Sequence, residues 1–162
     1  MDLQKEISQL KTQLLKRRLT ICTAESCTGG LISKLFTDKP GSSEWFDCAF
    51  ITYTNDAKKQ MLGVKQSTLT SSGAVSQPTV SEMSEGAIKN SQSNISIATS
   101  GVAGPGGGSK EKPIGMVWIS WSAKNYETVT ECFYFDGDRD SIRFKAAKAA
   151  IKGAVKYIVK NA

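Results

Sequence analysis

Apolar positions recur at helical spacing over residues 2–18, where Leu3, Ile7, Leu10, Leu14 and Leu15 share one face. A short apolar run at 19–23 then reads as a strand. Residues 29–37 read as a helix with Leu31, Ile32, Leu35 and Phe36 inward, ended by the breaker cluster Pro40-Gly41-Ser42-Ser43. A second strand is predicted over 46–53 and a short helix over Asn55–Leu62, closed by Gly63. Val80, Met83, Ala87 and Ile88 stripe a helix over 78–90, and residues 95–99 alternate as a third strand. After a loop at 101–115, the stretches 114–122 and 128–135 read as a hairpin turning near Lys124 and Asn125. A last helix carries Ala147, Ile151, Ala154, Val155 and Ile158 on one face. Strands alternate with helices early and pair as a hairpin late. That order predicts a three-layer α/β/α domain with a mixed, partly parallel sheet, a single domain over residues 1–162.

Composition narrows the chemistry. With 162 residues, 40% hydrophobic and 22% charged, the chain is expected to be one soluble globular domain. No apolar run approaches the roughly 18 residues of a transmembrane helix. Charges at Asp2, Lys5, Glu6, Lys11, Lys16, Arg17 and Arg18 interrupt the start, so no export signal is read and a cytoplasmic protein is expected. There is no histidine. That excludes a Ser-His-Asp triad, a Cys-His dyad and the histidine-bearing zinc motifs, and leaves acid–base work to Lys, Tyr, Asp, Glu or Cys. Cys22, Cys27, Cys48 and Cys132 form no CxxC pair and read as reduced thiols with no zinc site. Neither a metal nor a cofactor is expected.

The net charge of +6 is concentrated in the last helix, where Lys145, Lys148, Lys152, Lys156 and Lys160 recur every three or four positions. The plain reading is the solvated face of an amphipathic helix. The alternative is a surface for nucleic acid or another anion, weakened by the absence of aromatic residues between the lysines.

Three segments lie just past the C-terminal ends of predicted strands, where open α/β sheets bind ligands. The first places Ser26 and Thr28 ahead of Gly29, Gly30 and a helix. It offers a nucleophile beside free helix N–H groups, or simply an ordinary cap. Cys27 is a rival nucleophile. In the second, Lys58 falls in the first turn of a helix and Tyr53 stands five residues earlier. On spacing alone Lys58 and Lys59 read as solvated lysines; the sharper reading is a lysine base. For Lys58 to act near neutrality it must be held neutral at a cost of about 4 kcal/mol, which the helix dipole supplies only in part and burial must complete. Tyr53 is then placed to relay or orient a proton. The third segment, the glycine-dense run after residue 100, lacks the P-loop pattern and suits backbone amides cradling an anion. Lys110, Lys112, Arg139 and Arg143 are the nearest basic residues in sequence.

These motifs resemble one family. Thr-Ala-Glu-Ser-Cys-Thr-Gly-Gly at 23–30, Ser-Gly-Ala-Val-Ser at 72–76, Ser-Gly-Val-Ala-Gly-Pro-Gly-Gly-Gly-Ser at 100–109, Lys-Pro-Ile-Gly at 112–115, and Gly-Asp-Arg-Asp at 137–140 with Arg143 are similar to the signatures of the competence/damage-inducible CinA C-terminal family, in its order. The chain looks like the stand-alone form. The resemblance implies a nicotinamide-nucleotide amidase that converts nicotinamide mononucleotide (NMN) and water to nicotinate mononucleotide and ammonia in pyridine nucleotide recycling. It implies a catalytic set of Ser26, Tyr53 and Lys58. Thr28, Gly29, Gly30, Asn55, Gly101, Gly104, Gly106, Arg139 and Arg143 are the expected substrate-binding positions. Backbone N–H groups near Gly29, Gly30 or Gly101 are expected to hold the oxyanion, and the glycine loop with Arg139 or Arg143 to hold the phosphate. A homo-oligomer without membrane or nucleic-acid partners is expected. The alternative is a non-catalytic nucleotide- or DNA-binding module acting in competence or repair, carried by the lysine stripe.

Overall fold

The computed structural model describes residues 3–161; residue 2, placed in the first expected helix, lies outside the described residues, as do 1 and 162. Five strands, β1 (Ile21–Glu25), β2 (Phe46–Ile51), β3 (Ile95–Gly101), β4 (Met116–Ala123) and β5 (Val129–Tyr134), form one sheet in the order β2-β1-β3-β4-β5. β1 is parallel to both β2 and β3, while β4 and β5 run antiparallel. The mixed sheet is thus the expected one. Successive residues of a strand point to opposite faces. Ile21, Ile95, Ile97, Val117 and Ile119 accordingly meet α1 (Leu3–Arg17), α2 (Leu31–Thr37) and α6 (Arg139–Asn161). Cys22, Ala24 and Ala98 meet α3 (Asn55–Leu62), α4 (Gln66–Ser72) and α5 (Gln77–Lys89) on the other face. Among the described residues no helix is long and apolar enough to cross a membrane.

The chain leaves β1 for β2 on one side and returns past β1 to β3 on the other. The C-terminal ends of β1 and β3 therefore make the switch point at which such sheets open a crevice. Two glycines fix how closely helices approach. A Cβ on Gly153 would lie 2.0 Å from a ring carbon of Trp121, so α6 rides directly on β4. A Cβ on Gly86 would lie 1.9 Å from the Leu62 carbonyl, so α5 abuts the C-terminal end of α3.

Some boundaries differ from the sequence reading. The first strand runs two residues later than expected, because Arg18 turns left-handed (φ 55°) to end α1 and because the side chain of Glu25 is satisfied inside the protein. The second helix begins at Leu31, since Gly29 and Gly30 take φ of 57° and 96°. The polar α4 was not foreseen; Leu69 is its one buried residue. The lysine stripe of α6 is solvated at Lys152, Lys156 and Lys160, as the plain reading expects. Lys148, Lys152, Lys156 and Lys160 border an open groove of about 530 Å³ floored by Trp121, Phe133, Phe135 and Ala149.

Candidate active site

At the switch point lies a cleft of about 320 Å³ walled by the ends of β1 and β3, the start of α3, the loop around Ala74 and Val75, and the glycine run 101–107. All three segments singled out in the sequence converge here.

Ser26 is the first residue past β1. Its N–H donates to the Thr99 carbonyl (3.0 Å), extending the β1–β3 ladder by one step and fixing the backbone from which the hydroxyl projects. Lys58 comes from α3, whose N-cap Thr54 accepts from the Ala57 N–H. The ammonium is buried, with 1% of the residue exposed, and Nζ donates to Ser26 Oγ (2.9 Å) and to the carbonyls of Thr52 (2.8 Å) and Tyr53 (3.3 Å). Burial lowers its pKa to about 8 from 10.5; the one opposing influence is the nearby Cys27 thiol. Desolvation, rather than the helix dipole, is therefore the dominant cause.

The geometry accommodates both protonation states of Lys58: an ammonium can donate to all three partners, since Ser26 Oγ also accepts, and the neutral amine fits as well. A neutral amine has two N–H donors and one lone pair. Two of the three partners of Nζ are carbonyls that can only accept. A deprotonated Lys58 satisfies both and turns its lone pair to Ser26 Oγ, the arrangement of a base beside a nucleophile.

Cys27 differs from its neighbour. It is 6% exposed and packs into the core, and burial pushes its thiol up to about 12. A thiol so held stays protonated near neutrality and is inert.

Tyr53 lies at the mouth, 59% exposed, and its hydroxyl accepts from Arg139 Nη2 (2.9 Å). Of the two expected parts for Tyr53, relaying or orienting a proton, the contacts match the second more closely: Lys58 Nζ meets Ser26 Oγ directly, and Tyr53 reaches Nζ through its carbonyl. Arg139 also donates Nη1 to the Gly104 carbonyl (2.7 Å) and so straps the glycine loop to the mouth. Asn55, Gly101, Gly104, Gly106 and Arg139 all line the cleft. A Cβ on Gly101 would strike Val117 and the Met116 carbonyl, so that glycine serves packing on β4, whereas Gly106 faces open space.

Other expected contacts are not in the cleft. Thr28 is fully buried and donates to Glu25 Oε2 (2.8 Å). The Gly29 N–H donates to the Ser26 carbonyl (3.0 Å), and the Gly30 N–H to Glu25 Oε2 (2.9 Å). Neither amide is free for an oxyanion. Arg143 grips the carbonyls of Cys27 and Thr28 (both 3.1 Å) instead of facing the ligand space, so it is not placed to hold a phosphate. Lys112 donates to the Ser72 carbonyl, and neither it nor Lys110 lines the cleft. Sequence reasoning missed Glu25, because a strand read as ending at residue 23 leaves this glutamate in a loop, where a charged side chain carries no signal. It also gave no role to Ala74 and Val75, whose loop is tied down where Ser100 Oγ donates to the Ala74 carbonyl (2.8 Å).

Known proteins share this arrangement of chain. The nicotinamide-nucleotide amidohydrolase PncC of Escherichia coli K12 is 45% identical over 157 residues, covering 96% of this chain and 95% of its own. A CinA-like protein of Akkermansia muciniphila is 46% identical over 140 residues, 86% of this chain but 34% of that longer one. Among solved structures, a competence/damage-inducible protein of Agrobacterium tumefaciens superposes with a TM-score of 0.93 at 41% identity, covering 96% of this chain and 95% of its own. The competence damage-inducible protein A of Klebsiella pneumoniae reaches 0.95 at 30% identity, with both chains fully covered. The CinA C-terminal domain model matches residues 3–158, and the chain belongs to that family.

Proposed function

We propose that this chain is a nicotinamide-nucleotide amidohydrolase in which Ser26 is the nucleophile and Lys58 the general base. The carrying observation is the buried Lys58 Nζ, 2.9 Å from Ser26 Oγ, with two carbonyls occupying its other donors. The PncC relatives, similar over nearly the whole chain, support the nicotinamide nucleotide as substrate.

In this reading Ser26 Oγ forms a bond to the carboxamide carbon of NMN while its proton passes to neutral Lys58. The tetrahedral intermediate collapses, the C–N bond breaks, and the leaving amine takes the proton from Lys58 to depart as ammonia. Water then attacks the nicotinoyl ester and gives a proton to Lys58, which returns it to Ser26 Oγ as nicotinate mononucleotide leaves. The raised thiol of Cys27 keeps it out of the reaction. With the Gly29 and Gly30 amides engaged, the oxyanion falls to other backbone N–H groups of residues lining the cleft, which include Cys27 and the segment 101–107. Arg139, the cleft cation besides Lys58, holds the phosphate.

Ammonia release across NMN, NAD, nicotinamide riboside, nicotinamide and glutamine tests the proposal. Turnover of NMN well above the others is expected; turnover of glutamine or none at all with NMN would sink it.

A further inference from the structure

Two side chains that the mechanism leaves unused, a carboxylate and a guanidinium, both grip the turn that carries Ser26. Glu25, the last residue of β1, is fully buried. Its carboxylate accepts five hydrogen bonds: Oε1 from Thr23 Oγ1 (3.1 Å) and the Ser33 N–H (2.9 Å), Oε2 from Thr28 Oγ1 (2.8 Å) and the N–H groups of Gly30 (2.9 Å) and Ile32 (3.1 Å). Arg143, reaching across from α6, donates Nε to the Cys27 carbonyl and Nη2 to the Thr28 carbonyl. A buried anion thus collects the N–H groups of the turn from inside while a cation collects its carbonyls from the other side. Ser26 sits between the two grips. Neither ion lines the cleft.

An ordinary helix cap would come from the side chain at Gly30, which has none. The cap instead comes from the residue bonded to the nucleophile. The same residue also reaches the base, because the Glu25 carbonyl accepts from the Thr52 N–H (3.0 Å) and the Thr52 carbonyl holds Lys58 Nζ (2.8 Å). A shift of Glu25 is therefore transmitted to both members of the Ser26–Lys58 pair.

We infer that Glu25 and Arg143 are positioning residues that hold Ser26 Oγ in line with Lys58, acting through the Ser26–Gly30 turn and touching no substrate. The inference rests on the Ser26 amidase reading. A misplacement of about 1 Å at a nucleophile costs on the order of 100-fold in rate. Glu25→Gln keeps the shape but turns an N–H of its amide against the donors it faces. Glu25→Ala leaves the N–H groups of Gly30, Ile32 and Ser33 around an empty, carboxylate-sized space.

The test measures kcat and KM for NMN alongside the rate at which a sulfonyl fluoride labels Ser26, each per folded molecule by circular dichroism. Glu25→Gln and Arg143→Ala are expected to lose on the order of 100-fold in kcat, and as much in labelling, with KM within about twofold. The pH at which the rate rises should stay where Lys58 sets it. Glu25→Ala is expected to recover at least tenfold with formate and not with chloride of equal ionic strength. If Glu25→Ala does not fold, the other two variants carry the test. Wild-type kcat and labelling in folded Glu25→Gln and Arg143→Ala overturn the inference, as does an Arg143→Ala defect confined to KM, which would make that residue a phosphate ligand. A wild-type protein that neither labels at Ser26 nor releases ammonia defeats the amidase reading itself and is recognised before any variant is made.

Discussion

Replacing Lys58 strikes the amidase reading where it is most exposed, because without histidine no other side chain in the cleft is placed to take the proton of Ser26. With a pKa of about 8, roughly a quarter of the Lys58 side chains are neutral at pH 7.5, against about one in a thousand at the ordinary 10.5. Burial thus raises the population of competent base about 200-fold. Lys58→Arg keeps a cation in place but offers no lone pair, so it should be as damaging as Lys58→Met, lowering kcat/KM by about 10²–10⁴-fold. In the wild type kcat/KM should rise with pH along one limb and flatten above about 8. The same burial has a thermodynamic signature. A lysine whose folded pKa lies below its unfolded value costs stability in full below about pH 8, and that cost disappears as pH rises toward 10.5. The unfolding free energy of wild type relative to Lys58→Met should therefore move in favour of wild type by about 3 kcal/mol between pH 7 and 10.5. Coupled ammonia assays and urea melts at matched pH measure both. An active Lys58→Arg enzyme, or a rate flat from pH 6 to 9, would refute the general-base argument.

Ser26→Ala should remain folded and lose at least about 10³-fold in kcat, while Cys27→Ala keeps most activity; the reverse pattern would install the thiol as nucleophile. Arg139→Gln should raise KM for NMN by about tenfold or more and affect the phosphate-free riboside less, by the share owed to its bonds to Gly104 and Tyr53, as checked by steady-state kinetics on both. Charge reversal at Lys148, Lys152 and Lys156 together should leave kcat/KM for NMN within about twofold, because the groove they border shares no residue with the cleft and surface charge is screened within about 8 Å. On the proposed reading, in which Lys58 serves as the base, turnover should persist through dialysis against EDTA, and an ammonia assay before and after decides it.

The sheet was legible because strand-forming runs and helical stripes alternate cleanly, and Asn55–Leu62 has clear punctuation in Thr54 and Gly63. The polar α4 was not, since one buried leucine among hydroxyl and amide side chains leaves no periodic signal. In the site, the meeting of Ser26 with Lys58 follows from placing their segments past the C-terminal ends of neighbouring parallel strands. The roles of Thr28, Gly30 and Arg143 do not, because each depends on where the buried Glu25 carboxylate and the turn's carbonyls point. A motif records that a residue type is needed, and not whether it faces the ligand or the scaffold. Tyr53 shows the limit most plainly: its backbone carbonyl, which carries no sequence signature, is what touches Lys58 Nζ.

The abutment of Gly86 on the Leu62 carbonyl carries a cost for tinkering. The helix bearing Lys58 has no freedom to retreat, since α5 is its backstop, and Gly86 is where the two backbones meet. A methyl group added there pushes the base-bearing helix as a unit. The mutational landscape of this protein should therefore hold an intolerant position remote from the chemistry, where one added methyl group is felt in folding and in turnover together.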